Sequence, residues 1–415
     1  MADGVAGDKM PAMRGFPPLT RFHLLYGLLF AAFGVRSPFL PPLLQDRGLR
    51  PEAIGLVLAA STGVRLLAGP AAGRLADRLG AHRLVLAACA VAAGLLGLGY
   101  LPAWGFWPLF SVGVGQAAML APIIPLADAL ALGAATRGPR GVSRNGFEYG
   151  WVRGAGSAAF VVGVAAAGSA VGRFGIDITV AVSSVLLVAA AVACAVVPRT
   201  LAGAAPVLFG HPLAASGGWF ADGDLRTLLR DRVFRRLLLV AALVQGSHAL
   251  HDSFAVIRWQ AAGIDPATTG LLWSESVAAE VVVFLFLGSR LLDRLGPAGA
   301  SMLASAAGVL RWAVMAETAQ PLAMALVQPL HGLTFALQHL ACMRLIAVIV
   351  PVSLAATAQS IYGTLCIGLA TALLTLASGP LYARFGAGGF WVMASICAIS
   401  LPACRGLRLP RFDPS

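Results

Sequence analysis

Apolar stretches long enough to cross a bilayer follow one another along almost the whole chain, and they leave few residues for anything else. A hydrocarbon core of about 30 Å takes about 20 residues of helix. Such runs lie near 20–44, 53–75, 82–101, 106–133, 148–172, 176–197, 233–261, 268–288, 299–317, 321–347, 353–382 and 387–405. Charged residues make up 12% of the chain, against about a quarter in a soluble domain, which excludes a water-soluble fold. The expected class is an all-α integral membrane protein with twelve transmembrane helices.

Two sequence echoes divide those twelve runs into two sets of six. Arg74-Leu75-Ala76-Asp77-Arg78-Leu79-Gly80 follows the second run, and Arg290-Leu291-Leu292-Asp293-Arg294-Leu295-Gly296 follows the eighth, half a chain length later. Arg173-Phe174-Gly175 and Arg384-Phe385-Gly386 each precede the last run of a half. Asp-Arg next to Gly suits a tight turn at a membrane face, where Gly permits the bend and the charges stay out of lipid. The pattern predicts two pseudo-symmetric halves, 20–197 and 233–405, with tails at 1–19 and 406–415 and a linker at 198–232. Pro198, Pro206, Pro212 and Gly217-Gly218 mark the linker. Within it, Asp224 is expected to cap a short amphipathic helix whose arginines, Arg226 to Arg236, face lipid headgroups. Residues 1–19, with Asp3, Asp8 and three prolines ahead of any apolar run, read as a tail and not as a cleaved signal.

A net charge of +12 raises the possibility of a nucleic-acid partner. The arginines, however, sit at the ends of apolar runs and form no soluble patch, so no nucleic acid is expected. Most of the 30 basic residues fall in loops on the side of the N-terminus, which places both termini in the cytoplasm of a bacterial-type cell (inner) membrane. All six cysteines lie in apolar runs without a CxxC pair, so neither a disulfide nor a metal site is expected. No nucleophile and base pair or phosphate loop points to an enzyme, and no cofactor is implied. Two six-helix halves joined by a linker describe a secondary transporter, with a small-molecule site near the bilayer midplane.

Ionisable side chains within the spans cost several kcal/mol each on insertion scales, so they face the interior and are candidates for function. Arg36 lies in the first run beside Pro38, Pro41 and Pro42, which should bend or open that helix. Arg65 is mid-span in the second, Asp128 deep in the fourth and Arg153 in the fifth, where Tyr149, Arg153 and Gly156-Ser157 share a face. Asp128 either pairs with an arginine for structure or takes part in coupling. In the seventh run Gln245, His248, Asp252 and Trp259 share a face, with His251 one position to the side. His248 is read as a hydrogen-bonded packing residue more readily than as a metal ligand.

Glu275 and Glu280 are five residues apart in the eighth run and cannot share a face. Glu280, near mid-depth, is the better proton-coupling candidate; the alternative is a permanent salt bridge to Arg311. A tenth-helix face combines His331, Thr334, Phe335, Gln338 and His339, with Arg344 near its end. Together the residues propose proton coupling through Glu280, Asp128, His331 and His339. Substrate contacts are expected from Arg36, Arg65, Arg153, Gln245, His248, Asp252, Trp259 and Arg311.

The stretch from Gly73 to Arg83 resembles the loop signature of the major facilitator superfamily, Gly-x-Leu-x-Asp-Arg-x-Gly-x-x-Arg. That resemblance implies conformational roles for Gly73, Asp77, Arg78 and Gly80, and for Asp293 and Arg294 in the second copy, which ends without the last basic residue at Pro297-Ala298-Gly299. Further motifs are similar to the phenylpropionic acid permease branch, and distantly to the lactose permease and nucleoside:proton symporters. They are Pro125 to Leu130, Tyr149-Gly150-x-Val152-Arg153-x-x-Gly156-Ser157, Gln245-Gly246-Ser247-His248, Trp259 to Gly263, Glu280, Arg311-Trp312 and His331 to Arg344. The resemblance implies proton symport of a small organic solute, an aromatic carboxylate foremost. Ala155 stands where the family usually has Trp, and His251-Asp252 where aromatic residues are common, so the substrate can differ. The competing readings are a proton-antiport exporter of hydrophobic compounds and a non-transporting membrane sensor or scaffold. In each the chain is expected to work as a monomer.

Overall fold

The computed structural model describes residues 16–135, 147–198, 207–208, 211–212 and 222–407. The tails before 16 and after 407, and most of the proposed linker, lie outside the described residues. The first half comprises α1 (Pro18–Arg36, resuming as Leu40–Asp46), α2 (Pro51–Leu79), α3 (His82–Leu98), α4 (Phe106–Leu120 and Ile123–Ala135), α5 (Tyr149–Phe174) and α6 (Asp177–Cys194). The second opens with α7 (Arg232–Gly246 and Ala249–Ala261) and α8 (Pro266–Val282), which continues as a π-helical segment, Val283–Leu287. The helix after it, Gly288–Glu317, is broken at Gly296, where α8 ends and α9 begins. α10 runs over Pro321–Ile349, α11 from Ala355–Tyr362 through Thr371–Phe385, and α12 over Gly389–Cys404.

Both sequence echoes are turns that need glycine. Gly80 and Gly296 close the Asp-Arg copies at φ 59° and 65°, and Gly175 and Gly386 close the Arg-Phe copies at φ 80° and 52°. Side chains with a Cβ rarely adopt this left-handed region, so the chain reverses at equivalent places in each half. Prolines begin α1, α2, α8 and α10, where their missing N–H costs nothing. The expected opening of the first helix is a gap at residues 37–39, directly after Arg36. The seventh is interrupted as well, at Ser247 and His248, which periodicity alone had carried through as one helix.

Two smaller differences concern the linker. Its helix spans Asp222–Arg230, so Asp224 lies in the first turn and not at the cap. Val207–Leu208 and His211–Pro212 form a short antiparallel pair, an exception to the all-α expectation.

The halves meet through α5 against α8 and α2 against α11. These pairs exchange under the pseudo-symmetry, since α2 and α8 are second helices of their halves and α5 and α11 fifth ones. Small residues permit the approach, as they do between membrane helices that lack a hydrophobic drive to associate. A Cβ on Gly270 would stand 2.9 Å from the Val164 carbonyl, and one on Gly55 3.0 Å from Gly379. Both contacts lie at the face where α1 ends and α2 begins. A single apolar core there spans the halves, joining Phe39, Leu44, Ile54 and Val171 to Phe254, Trp259, Trp273 and Trp312. At the other face, where α1 begins and α12 ends, the cores are separate: Phe22, Leu25, Leu86 and Leu130 in one half, Phe234, Leu237, Leu345 and Ile346 in the other. Leu67, Trp107, Leu285 and Leu322 are exposed, as lipid-facing residues should be. The six cysteines are free and buried.

Candidate functional site

At the centre of the second half lies Arg311 of α9, fully buried and stacked 4.5 Å over the Trp312 ring. One guanidinium nitrogen is 3.1 Å from His331 Nδ1; another is 3.0 Å from Gln328 Oε1 and 3.4 Å from His251 Nε2. A guanidinium can only donate, so both imidazoles accept from it and carry their protons on the far nitrogens. His331 Nε2 lies 3.4 Å from Glu280 Oε2, an ion-pair distance, and His251 Nδ1 donates to Asp252 Oδ1 at 3.0 Å. Gln328 Nε2 donates to His251 Nε2 at 3.2 Å and fixes that arrangement. The alternative of a direct Glu280–Arg311 salt bridge is therefore not realised. Instead Arg311 reaches two carboxylates, each through a histidine.

The break in α7 belongs to this cluster. Ser247 accepts from Trp312 Nε1 at 2.9 Å and donates to the Val244 carbonyl at 2.7 Å, holding α7 to α9. His248 Nδ1 donates to the Gln245 carbonyl at 3.0 Å, and its Nε2 accepts from Thr334 at 2.9 Å. Both of its ring nitrogens are thus engaged by protein. The π-helical segments Val283–Leu287 and Gly332–Leu337 follow closely on Glu280 and His331. Such segments insert a residue into the helical register and are frequent at functional sites. In α10 the insertion divides the expected face: His331, Thr334 and Phe335 turn to His248, whereas His339 bonds Tyr362 at 3.0 Å.

In the first half, Asp128 is held by direct donors. It accepts from Tyr26 at 2.5 Å, Tyr149 at 2.8 Å and Arg153 at 3.5 Å. Arg153, half exposed, lies 5.0 Å over the Phe30 ring and is also within electrostatic reach of Glu280 across the interface.

Between the halves lie two connected chambers. One, of about 530 Å³, is lined by Phe33, Arg36, Leu58, Arg65 and Phe160 among others. The second, of about 300 Å³, is lined by Gln245, His248, His251, Trp273, His331 and Phe335. Ser37, Asp252 and Thr371 line both and form the neck. Arg36 donates to the Tyr100 hydroxyl at 2.9 Å, and neither Arg36 nor Arg65 has a carboxylate bonded to it among the described residues.

The structure gathers Arg36, Arg65, Gln245, His248, Asp252 and His331 around these chambers. It withdraws Trp259, fully buried in the core behind His251, and Arg311, enclosed by its own partners. Sequence reading passed over Trp273, Gln328, Tyr26 and Tyr100, which look like ordinary packing residues. It also set His251 aside from the stripe that it in fact joins. In the loops, Asp77 pairs with His82 at 2.8 Å and Asp293 with Arg344 at 3.1 Å, while Arg78 and Arg294 are exposed. A Cβ on Gly73 would meet nothing within 4 Å.

Comparison with known proteins agrees with this architecture. The chain is 32% identical over 389 residues to the probable 3-phenylpropionic acid transporter of Escherichia coli, covering 91% of this chain and 94% of that one. It is 28% identical over 381 residues to the maltose permease of Geobacillus stearothermophilus, covering 92% of each. Among solved structures, the nucleoside transporter NupG superposes with a TM-score of 0.79 at 14% identity, covering 94% of this chain and 99% of that one. An inward-facing, unoccupied bacterial homologue of the human lysosomal transporter Spinster gives 0.70 at 16%, covering 99% and 100%. A sequence profile of the MFS_1 like family matches residues 19–393. Twelve helices among the described residues, in two related halves, and these relatives together make the chain a membrane transport protein of the major facilitator superfamily, and it belongs to the MFS_1 like family.

Proposed function

We propose that this protein is a proton-coupled symporter of a small organic acid, an aromatic carboxylate of the phenylpropionate type. It acts as a monomer in a bacterial inner membrane with both termini in the cytoplasm. The observation that carries the reading is the pair Arg36 and Arg65, which line one chamber between the halves without a protein carboxylate bonded to either. Two guanidiniums in a cavity walled by Phe33, Leu58 and Phe160 suit a ligand with one anionic end and an apolar ring. The similarity to a probable 3-phenylpropionic acid transporter supports the same class.

In this reading Glu280 carries the proton. Arg311 is the common counter-charge of Glu280 and Asp252, delivered through His331 and His251. Protonating Glu280 removes one of its two claims, and the cluster then bears wholly on Asp252 at the neck of the substrate chamber. Gln245, His248 and Phe335 line the second chamber, and His339 is within electrostatic reach of Glu280. Asp128, satisfied by three donors, holds Tyr26, Tyr149 and Arg153 together and does not itself exchange a proton. The loop residues Gly73, Asp77, Arg78, Gly80, Asp293 and Arg294 govern the change of conformation.

Uptake of labelled 3-phenylpropionate into vesicles of the purified protein, with and without an inward proton gradient, tests this. Accumulation that a protonophore abolishes is the expected result. Binding without gradient-driven accumulation removes the coupling, outward pumping turns the reading to an exporter, and no binding by the folded protein removes the substrate class.

A further inference from the structure

Among the described residues Asp252 is the one carboxylate on the walls of the two chambers, and its surroundings leave it incompletely used. It sits deep in the helix bundle, yet 54% of its side chain is open to the cavity. Its Oδ1 accepts from His251 Nδ1 at 3.0 Å, and no other hydrogen bond to either of its oxygens is made among the described residues. Its place at the neck, beside the hydroxyls of Ser37 and Thr371, puts it between the arginine-lined chamber and the aromatic one. A molecule anchored by its carboxylate on Arg36 and Arg65 that extends into the second chamber has to pass Asp252.

An apolar ring passing there would strip water from an ionised carboxylate without replacing its hydrogen bonds, which costs free energy. A ring that carries a hydroxyl would instead donate to the open oxygen, a charge-assisted bond of the stronger kind. An ammonium group fits less well, because the charge of Asp252 is already answered through His251 by Arg311. His248 and His331 offer no competing acceptor: His248 has both nitrogens engaged, and His331 accepts from Arg311 at one nitrogen and carries its proton on the other, 3.4 Å from Glu280. The second chamber is also walled for a ring, with His251 stacked on Trp273 at 4.9 Å and His331 on Phe335 at 5.4 Å.

We infer that the preferred substrate is a two-ended one: an aromatic acid whose ring bears a hydroxyl at the end remote from its carboxylate, with Asp252 as the acceptor of that hydroxyl. This rests on the organic-acid reading above and narrows it.

The test is competition against labelled 3-phenylpropionate in vesicles by unlabelled 3-phenylpropionate, 3-(4-hydroxyphenyl)propionate and 3-(4-methoxyphenyl)propionate. The wild-type protein should bind the hydroxy acid about ten-fold more tightly than the unsubstituted one, the scale of one hydrogen bond to a charged group. The methoxy acid, which cannot donate, should gain nothing. In Asp252→Ala the ratio between hydroxy and unsubstituted acids should fall to about one, whatever happens to the absolute affinities. Asp252→Asn, which keeps an acceptor oxygen without the charge, should lie between. Equal competition by all three acids in the wild type, or an unchanged ratio in Asp252→Ala, overturns the assignment of Asp252 and leaves the organic-acid reading standing. Absence of binding by all three overturns both.

Discussion

Asp128 in the first half and the Glu280–Asp252 pair in the second present the same problem, acidic groups inside a helix bundle, and the two halves solve it differently. Around Asp128 two phenols and a guanidinium bond the carboxylate directly. Around Arg311 no carboxylate touches the guanidinium, and an imidazole stands in each connection. Direct donors fix a charge in place. A neutral imidazole accepts at one nitrogen and donates at the other, so a connection made through one joins the two groups without pairing them directly. The first arrangement is a brace and the second a relay, although both halves descend from one repeated pattern.

The sharpest way to break that contrast is to remove the hub. Arg311→Met leaves Asp252 and Glu280 without a shared counter-charge and strips His331, His251 and Gln328 of their common donor, at about 1–3 kcal/mol for each buried group left unpaired. Gradient-driven uptake should be lost, and the thermal midpoint of the purified protein should fall by several degrees. Uptake that persists at wild-type level would show that the two carboxylates do not depend on Arg311.

Glu280→Gln separates coupling from transport. The amide keeps the size of the carboxyl but cannot release a proton, so accumulation against a gradient should vanish while exchange of labelled for unlabelled substrate continues. Loss of exchange as well would make Glu280 part of the binding site.

Asp128→Asn is the matching change in the brace. An amide oxygen still accepts from Tyr26 and Tyr149, and Arg153 is half exposed, so the cost should be about 1–2 kcal/mol, within the range of a weakened hydrogen bond to a charged group. A lower midpoint with accumulation largely retained is the expected pair of readings. Accumulation lost as completely as in Glu280→Gln would place Asp128 in the relay.

Gly296→Ala has the smallest expected effect on transport. It puts a Cβ at φ 65°, ψ 172°, backbone that glycine almost alone adopts, costing about 1–3 kcal/mol, with transport unaltered. A change in transport rate without a change in midpoint would give this turn a part in the conformational cycle.

Much of this was legible in the sequence. Apolar length gave the spans, because only a helix satisfies its own backbone in lipid. The echoed Asp-Arg-Leu-Gly and Arg-Phe-Gly gave the duplication, because a reversal at positive φ leaves a glycine that cannot drift. Arg36, Arg65, Asp252 and Glu280 stood out because a charge within a span has to be explained. What could not be read was which helices touch. Periodicity places Trp259 on the stripe of Gln245 and Asp252, but the break at Ser247–His248 and the packing of the far face turn Trp259 into the core and His251 toward the cavity. Gln328 and Tyr100 carry no charge and repeat no pattern, so only the fold shows that one orients His251 and the other engages Arg36.

The six cysteines, all free and all buried, have a practical consequence. A water-soluble maleimide added to the folded native chain will find almost no thiol to react with. Single cysteines placed at the Gly80 or Gly296 turns on one face, and at the Gly175 or Gly386 turns on the other, can therefore carry fluorophores or spin labels without first removing the native six. Distances between such pairs, read with and without substrate, would follow the two faces opening and closing in otherwise unaltered protein.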